Sequence, residues 1–322
     1  MSGSIKWAIL GTSFISGVMA DAIKAQGQST IYGVAGRNTT TLAEFATQYQ
    51  IPHQFSDFDA LINSPEVDVI YIALPNHLHH EYIIKAANAG KAILCEKSLS
   101  VDMQKTTESL DAVTQNKVFF LEGLMYLAHP FMQQLSKTLA TGVIGEVKSI
   151  RGQYCASISQ FVNPASLGAL FNLGCYPASL MQLVMQQQFG TEQSQQYQIE
   201  ATGRRGQDGN ICESTAIISY SNGVQCHLHT AEDYGLHAGF TILGSLGSIE
   251  FTSNPWLPES QGNHFTVRLY EQEAVLNALE TKQYTVPRPL VQVSDSVDIM
   301  QMLTTWHKAA LESRAANHTT EC

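Results

Sequence analysis

The 322-residue chain sets 18 Lys and Arg against 28 Asp and Glu, a formal charge of −10 that excludes a nucleic-acid binder working by electrostatics. Its 44% hydrophobic content excludes a disordered chain and its length favours two domains over one; only 14% of residues are charged, against a usual share of about a quarter, so amides and hydroxyls must cover much of the surface. The six cysteines, Cys95, Cys155, Cys175, Cys212, Cys226 and Cys322, include no CxxC pair, which argues against a disulfide framework and for free thiols in a reducing cytosol.

Residues 7–23 are apolar enough to suggest a leader or a membrane span, yet Gly11, Thr12, Ser13, Ser16 and Asp21 interrupt them well short of the ~20 apolar residues a span needs. No later segment does better, so a soluble, unexported, cytoplasmic protein with no membrane partner is expected. Residues 5–10 read as a strand ending at Gly11. Ile15, Val18, Met19, Ala22 and Ile23 then recur at helical spacing, completing strand, tight turn and helix. Residues 31–35 are the second strand, and Thr41 with Glu44 has the spacing of a capping box for a helix reaching Tyr49. A short helix over 57–62 precedes 67–74, a nearly continuous apolar strand of the kind buried on both faces. A helix over 79–89 is stopped by Gly90. Two further buried strands, 92–95 and 118–121, have a helix between them. This alternation predicts an α/β domain, a doubly wound parallel sheet with its ligand at the carboxyl ends of the strands.

The pattern changes near Glu122 and Gly123, which divides the chain into 1–122 and 123–322. No Pro/Gly/Ser-rich linker marks the boundary, so the two domains should pack directly together. Alternating runs at 147–158, 197–202, 214–220, 224–230, 239–243 and 248–251 predict an α+β domain, a mainly antiparallel open sheet with a helix over 176–185 against it. The Gln-rich residues 186–198 read as an exposed loop, and a last helix over 297–313 precedes a polar tail. An exposed face of this sheet would suit a homodimer or higher homo-oligomer.

The turn Gly11-Thr12-Ser13-Phe14-Ile15-Ser16 is a degraded GxGxxG fingerprint in which only the first glycine survives, with Ser13 where a second would let a pyrophosphate approach. A tight turn opening any α/β domain would look similar. Leu74-Pro75-Asn76-His77-Leu78-His79 ends the most apolar strand and Leu94-Cys95-Glu96-Lys97 ends the next, both on the ligand side of the expected sheet. A Glu-Lys pair just past a buried strand is costly unless its charges are paired or used; a structural ion pair is the plain alternative.

These segments resemble the glucose-fructose oxidoreductase and inositol dehydrogenase family (Gfo/Idh/MocA). Its members show a glycine turn, Pro-Asn-x-x-His, and Gly-Lys-x-x-x-x-Glu-Lys-Pro. Here the last two read Pro75-Asn76-His77-Leu78-His79 and Gly90-Lys91-Ala92-Ile93-Leu94-Cys95-Glu96-Lys97-Ser98. Glu122-Gly123-Leu124-Met125-Tyr126 with His129-Pro130, then Gly145-Glu146-Val147, then Asn172-Leu173-Gly174-Cys175-Tyr176-Pro177 are similar to the family's lead into its second domain, its first sheet strand and a helix-opening motif. The resemblance spans residues 5–251. It implies a Rossmann domain carrying a nicotinamide cofactor, with a carbohydrate-like or cyclic alcohol substrate between the domains. The implied cofactor contacts are Gly11, Thr12, Ser13, Phe14, Ile15, Leu74, Pro75, Asn76, His79, Glu96 and Lys97. Lys97 would be the active-site lysine, Tyr176 the proton donor and acceptor, and Asn172 the third catalytic position. Hydride transfer to or from a carbinol carbon requires the hydroxyl proton to move too, and an ammonium within ~4 to 6 Å would bring a phenol down toward neutrality. An ordinary aromatic at a helix start would look the same at Tyr176.

Three departures fall near this site: Asn172 where the family often has Asp, Ser98 for the usual Pro, and Leu127 at a position often filled by Arg. Either the substrate is unusual or catalysis has weakened. The alternatives to a dehydrogenase or reductase are therefore a cofactor-binding regulatory or redox-sensing protein and an NAD-using glycosidase. Residues 34–38 hold no acid to bind an unphosphorylated ribose, whereas Arg37, with Thr39 or Thr40, could pair a 2′-phosphate, so NADP is expected over NAD. A solvated arginine opening a loop is the plain alternative. His77, His79, His80, His227 and His229 make no complete ligand set with zinc spacing, and no metal is expected.

Overall fold

The computed structural model describes residues 4–270 and 300–305. Six apolar runs become the strands β1 (Ile5–Leu10), β2 (Ser29–Ala35), β3 (His53–Phe55), β4 (Val69–Ile72), β5 (Ala92–Cys95) and β6 (Phe120–Glu122), in the order β3-β2-β1-β4-β5-β6. All neighbouring pairs are parallel. The crossovers are α1 (Phe14–Gln26), α2 (Thr39–Gln48), α3 (Phe58–Ile62), α4 (Asn76–Asn88) and α5 (Met103–Asn116). The two-residue period of the strands splits their side chains between two cores. Leu10, Ile70, Ile72 and Ile93 face Leu61, Ile83 and Ala87, while Ile9, Tyr71 and Leu94 face Ala20, Ile23 and Phe45. Burial on both faces is why these strands read as continuous apolar runs rather than alternating ones. The strand order reverses between β1 and β4, so their carboxyl ends diverge and open a crevice there.

Several boundaries differ from expectation. Thr41 and Glu44 do not cap α2; the Asn38 side chain does, accepting from the N–H groups of Thr40 and Thr41 at 3.0 and 3.1 Å. An amide reaching two free N–H groups of the first turn outcompetes a hydroxyl already inside the helix. Helix α4 starts at Asn76 rather than at His79, because Pro75 ends the preceding extended segment with its fixed φ and leaves the chain free to turn helical. The strand expected over 67–74 pairs only over β4, and β3 was too short to register as a period.

The second sheet follows α6 (Pro130–Ala140). It comprises β7 (Val147–Ala156), β8 (Tyr197–Arg205), β9 (Ile211–Tyr220), β10 (Gln225–Ala231), β11 (Leu236–Gly244), β12 (Gly247–Phe251) and β13 (Phe265–Leu269), in the order β13-β12-β11-β7-β10-β9-β8. Only β7 and β10 pair in parallel; the rest are antiparallel. Leu135 and Leu139 of α6 and Leu180, Val184 and Met185 of α7 (Cys175–Gln193) pack with Ile150, Cys226, Ile242 and Ile249 in one core. Each buried Leu, Ile, Val or Met among them contributes about 1.5 to 3 kcal/mol by leaving water. Helix α7 runs well past the expected end at 185 and takes in most of the Gln-rich stretch read as a loop, broken only at Gly190 with φ 83° and ψ 168°. Glutamine is a good helix former, and tertiary packing of the preceding turns carries the helix forward.

Both sheets lie in one unit, Met1–Leu269. Of the helix expected over 297–313, residues 300–305 are helical; the remainder, with Cys322, lies outside the described residues. Among the described residues no helix is long and apolar enough to cross a membrane, and the five cysteines there are free thiols.

Candidate active site

Gly11 leaves β1 with φ 105°, and a Cβ on it would stand 2.6 Å from the Ala73 carbonyl oxygen beyond β4. The first fingerprint position therefore admits only glycine, for its backbone angle and for the closeness of the neighbouring turn. The two missing glycines are replaced by serines that bond to each other. Ser16 is fully buried and accepts from the Ser13 N–H at 3.2 Å, and the two hydroxyl oxygens lie 3.1 Å apart. Ser13 itself is the exposed N-cap of α1.

A cleft of about 470 Å³ opens at this point. The parallel sheet contributes Ser13, Ile15, Leu74, Pro75, Asn76, Glu96 and Lys97 to its walls, and the second sheet's side contributes Phe161, Val162, Asn163, Ser166, Asn172 and Tyr176. Of the remaining expected residues, Gly11 and Thr12 are buried and half-buried in the turn and do not line the cleft, Phe14 projects into solvent at 88% exposure, and Arg37 is exposed at the end of β2. No hydrogen bond or ion pair engages the Arg37 side chain among the described residues. Asn76 reaches across the cleft, its Nδ2 donating to the Ser166 carbonyl at 3.3 Å, while its Oδ1 is buried without a partner.

His79 does not reach the cleft. It has no exposed surface, and its Nδ1 and Nε2 stand 2.8 Å from the Ser98 carbonyl and 2.7 Å from the Leu74 carbonyl. Burial pushes the imidazole pKa down, while the two carbonyls, each facing a ring nitrogen, oppose that shift. Its place is behind the turn, tying the end of β4 to the segment after Lys97, because the first turn of α4 points position 79 back into the sheet.

Lys97 and Tyr176 do come together. The Lys97 ammonium lies 5.1 Å from the centroid of the Tyr176 ring and donates to the Asn172 carbonyl at 2.7 Å. Tyr176 is held among the rings of Tyr154, Tyr126 and Trp256, at centroid distances of 5.2, 5.7 and 6.2 Å. The expectation that Lys97 brings the phenol toward neutrality is not met in this arrangement. Burial pushes the Tyr176 hydroxyl up, and the ammonium addresses the face of the ring. Glu96 makes no ion pair with Lys97. Its carboxylate accepts from the Tyr71 hydroxyl at 2.7 Å and from the Lys97 backbone N–H at 3.3 Å, and burial pushes its carboxyl up.

Asn172 sits in a wide helical turn, Leu170–Gly174, leading into α7. Its Nδ2 donates to the Glu232 carboxylate at 2.7 Å. Sequence reasoning missed Glu232, although an acidic Glu232-Asp233 pair closing an apolar run was a usable signal. It also missed Phe161, Val162, Asn163 and Ser166, which lie in an aperiodic loop where the only hint was Phe161, 78% exposed among polar neighbours. Among the described residues no three His, Cys, Asp or Glu side chains are placed to hold a metal ion.

The residues present fit a dinucleotide. Free N–H groups open α1 beside the cleft, and the orphaned Asn76 oxygen is an acceptor in want of a donor. Residues 5–124 match the model of an oxidoreductase family with an NAD-binding Rossmann fold, and residues 132–250 match the GFO/IDH/MocA C-terminal domain. An uncharacterized oxidoreductase of Rhizobium meliloti is 29% identical over 261 residues, 79% of this chain and 76% of its own. The trans-1,2-dihydrobenzene-1,2-diol dehydrogenase of Xenopus laevis is 27% identical over 263 residues, 79% and 77% of the two chains. Among solved structures, KijD10, a 3-ketoreductase from Actinomadura kijaniata in complex with NADP, superposes with a TM-score of 0.69 at 22% identity, covering 89% of this chain and 92% of that one. With both halves of the chain matched in order, and the crevice at the strand reversal lined by the residues that the motifs singled out, the chain belongs to the Gfo/Idh/MocA family of NAD(P)-dependent dehydrogenases and reductases.

Proposed function

We propose that this protein is an NADP-preferring oxidoreductase acting on a CH–OH group, or the corresponding ketone, of a sugar, polyol or cyclic diol. On this reading residues 1–122 carry the cofactor and the sheet that follows forms the substrate side. The observation that carries the proposal is the approach of Lys97 to Tyr176 across the cleft, 5.1 Å from ammonium to ring. The dihydrodiol dehydrogenase and 3-ketoreductase relatives support the substrate class.

When bound, the nicotinamide supplies or accepts the hydride. Tyr176 supplies the proton to the carbonyl oxygen, or takes it from the hydroxyl. Burial keeps the phenol protonated near neutrality, which suits it first to donation. The Lys97 ammonium, kept in place by its bond to the Asn172 main chain, lies over the ring face and sets a fixed positive charge beside the reacting groups. The test is a panel of sugars, polyols and dihydrodiols with absorbance of the reduced cofactor followed for NAD and NADP. Consumption in proportion to product is expected; bound cofactor that no member of the panel turns over would overturn the enzymatic reading.

Cofactor preference gives a separate prediction. Arg37 stands at the end of β2, where an adenosine ribose would lie, and no acid accompanies it. Arg37→Ala is expected to weaken NADP binding by about 1.5 to 3 kcal/mol, roughly ten- to a hundredfold or somewhat more, and NAD binding hardly at all. Equal dissociation constants for the two cofactors in the unaltered protein would count against it.

A further inference from the structure

We propose that Glu232 is a positioning residue: its carboxylate turns the Asn172 side chain so that the amide oxygen, not the NH2, is offered to the cleft, where it accepts a hydrogen bond from a donor on the substrate. The proposal rests on the reading of the cleft given above and adds a residue that the motifs did not reveal. An ionised carboxylate only accepts, so the Asn172 group that meets it at 2.7 Å is Nδ2, and the planar amide then directs Oδ1 elsewhere. No protein group hydrogen-bonds to that oxygen among the described residues, and Asn172 lines the cleft.

Glu232 is pinned through its main chain. It is 2% exposed; its N–H donates to the Cys212 carbonyl at 2.9 Å, and its own carbonyl accepts from the N–H groups of Ile158 and Ser159, each at 2.8 Å. Three main-chain bonds to two separate segments therefore fix the backbone at 232, and the bond from Asn172 Nδ2 holds the carboxylate behind that residue. Burial and the nearby Asp208 and Asp233 push the Glu232 carboxyl up, and the Asn172 N–H opposes them. Removing that N–H would leave a buried charge without its donor.

Where a carboxylate at position 172 would put a negative charge in the cleft, this chain keeps the charge one residue deeper and shows the substrate a neutral acceptor. Asn172 also holds Lys97, but through its backbone carbonyl, so the side chain can be altered without releasing the lysine.

The test compares Glu232→Gln, Asn172→Asp and the double variant in the full chain, reading kcat and KM separately with whichever panel substrate turns over. Asn172→Asp sets two carboxylates against each other, which then compete for one proton, and should raise KM roughly ten- to a hundredfold. Glu232→Gln lets the amide sit either way round and should raise KM less. In the double variant the new amide at position 232 donates to the new carboxylate at position 172, whose second oxygen again faces the cleft, so KM should return to within about threefold of the unaltered enzyme. A double variant no better than Asn172→Asp, or losses that fall on kcat with KM unmoved, would overturn the proposal. If no panel substrate turns over, the reading of the cleft has failed. The same variants are then read by thermal unfolding, where a melting point lowered in Asn172→Asp and recovered in the double variant supports the Glu232–Asn172 pair, and purely additive losses reject it.

Discussion

Tyr176→Phe should lower turnover about 100- to 10,000-fold while leaving cofactor affinity nearly unchanged, the range expected when a positioned proton carrier is removed. The ring keeps its place because its neighbours Tyr126, Tyr154 and Trp256 touch the aromatic body. Trp256 is itself fixed, 1% exposed with its Nε1 donating to the Gln153 carbonyl at 3.0 Å. A loss on this variant therefore reports the hydroxyl and not a collapsed pocket. Lys97→Met should act on the same step, and the double variant should be barely worse than the poorer single one. The direction of the phenol shift adds a pH signature. A raised pKa keeps the donor form through neutrality, so carbonyl reduction should vary little there, whereas oxidation, which needs the phenolate, should quicken as pH rises. Full turnover by Tyr176→Phe across the pH range would mean another proton carrier. His79, sealed behind the turn with both nitrogens on carbonyls, is not available for that role.

Ser13→Asp should abolish cofactor binding in a protein that remains folded. Ser13 caps α1 and borders the cleft, so an aspartate there would set a negative charge against the pyrophosphate. In the free protein the same carboxylate meets the positive end of the helix and contributes about 0.3 to 1 kcal/mol. Unchanged or slightly higher thermal stability with lost NADP and NAD binding is the expected pair of results, measured by thermal unfolding and by cofactor titration. Unchanged cofactor affinity would show that the Gly11 to Ser16 turn does not cradle the phosphates.

What could be read along the chain was local or ordered in sequence. Strand, glycine turn and helix at residues 5–26 and the apolar strands ending at Ile72 and Cys95 carry period, and these led to the sheet; Lys97 beside Tyr176 followed from the family resemblance that the motifs from Pro75 to Tyr176 carry. Contacts between distant segments carry no such signal. Glu232 lies 60 residues from Asn172, and nothing short of the strand register brings the end of β10 behind the wide turn at 170–174. His79 was misplaced for a related reason: a histidine in a ligand-side turn and one folded back under it look alike until the first residue of α4 is known. The Gln-rich end of α7 shows the limit of composition, since polar residues on an already packed helix extend it instead of ending it.

The wide turn at 170–174 has a consequence for how this protein can change. Lys97 and Ser98 are both gripped by it through main-chain oxygens: Lys97 donates to the Asn172 carbonyl and the Ser98 hydroxyl to the Phe171 carbonyl, each at 2.7 Å. A carbonyl is present whatever side chain stands above it. Position 172 can therefore exchange its residue, and with it part of the cleft wall, while the lysine stays where it is. On the proposed reading, substrate range and chemical step are mechanically separate here, which leaves room to acquire new substrates without rebuilding the reaction centre.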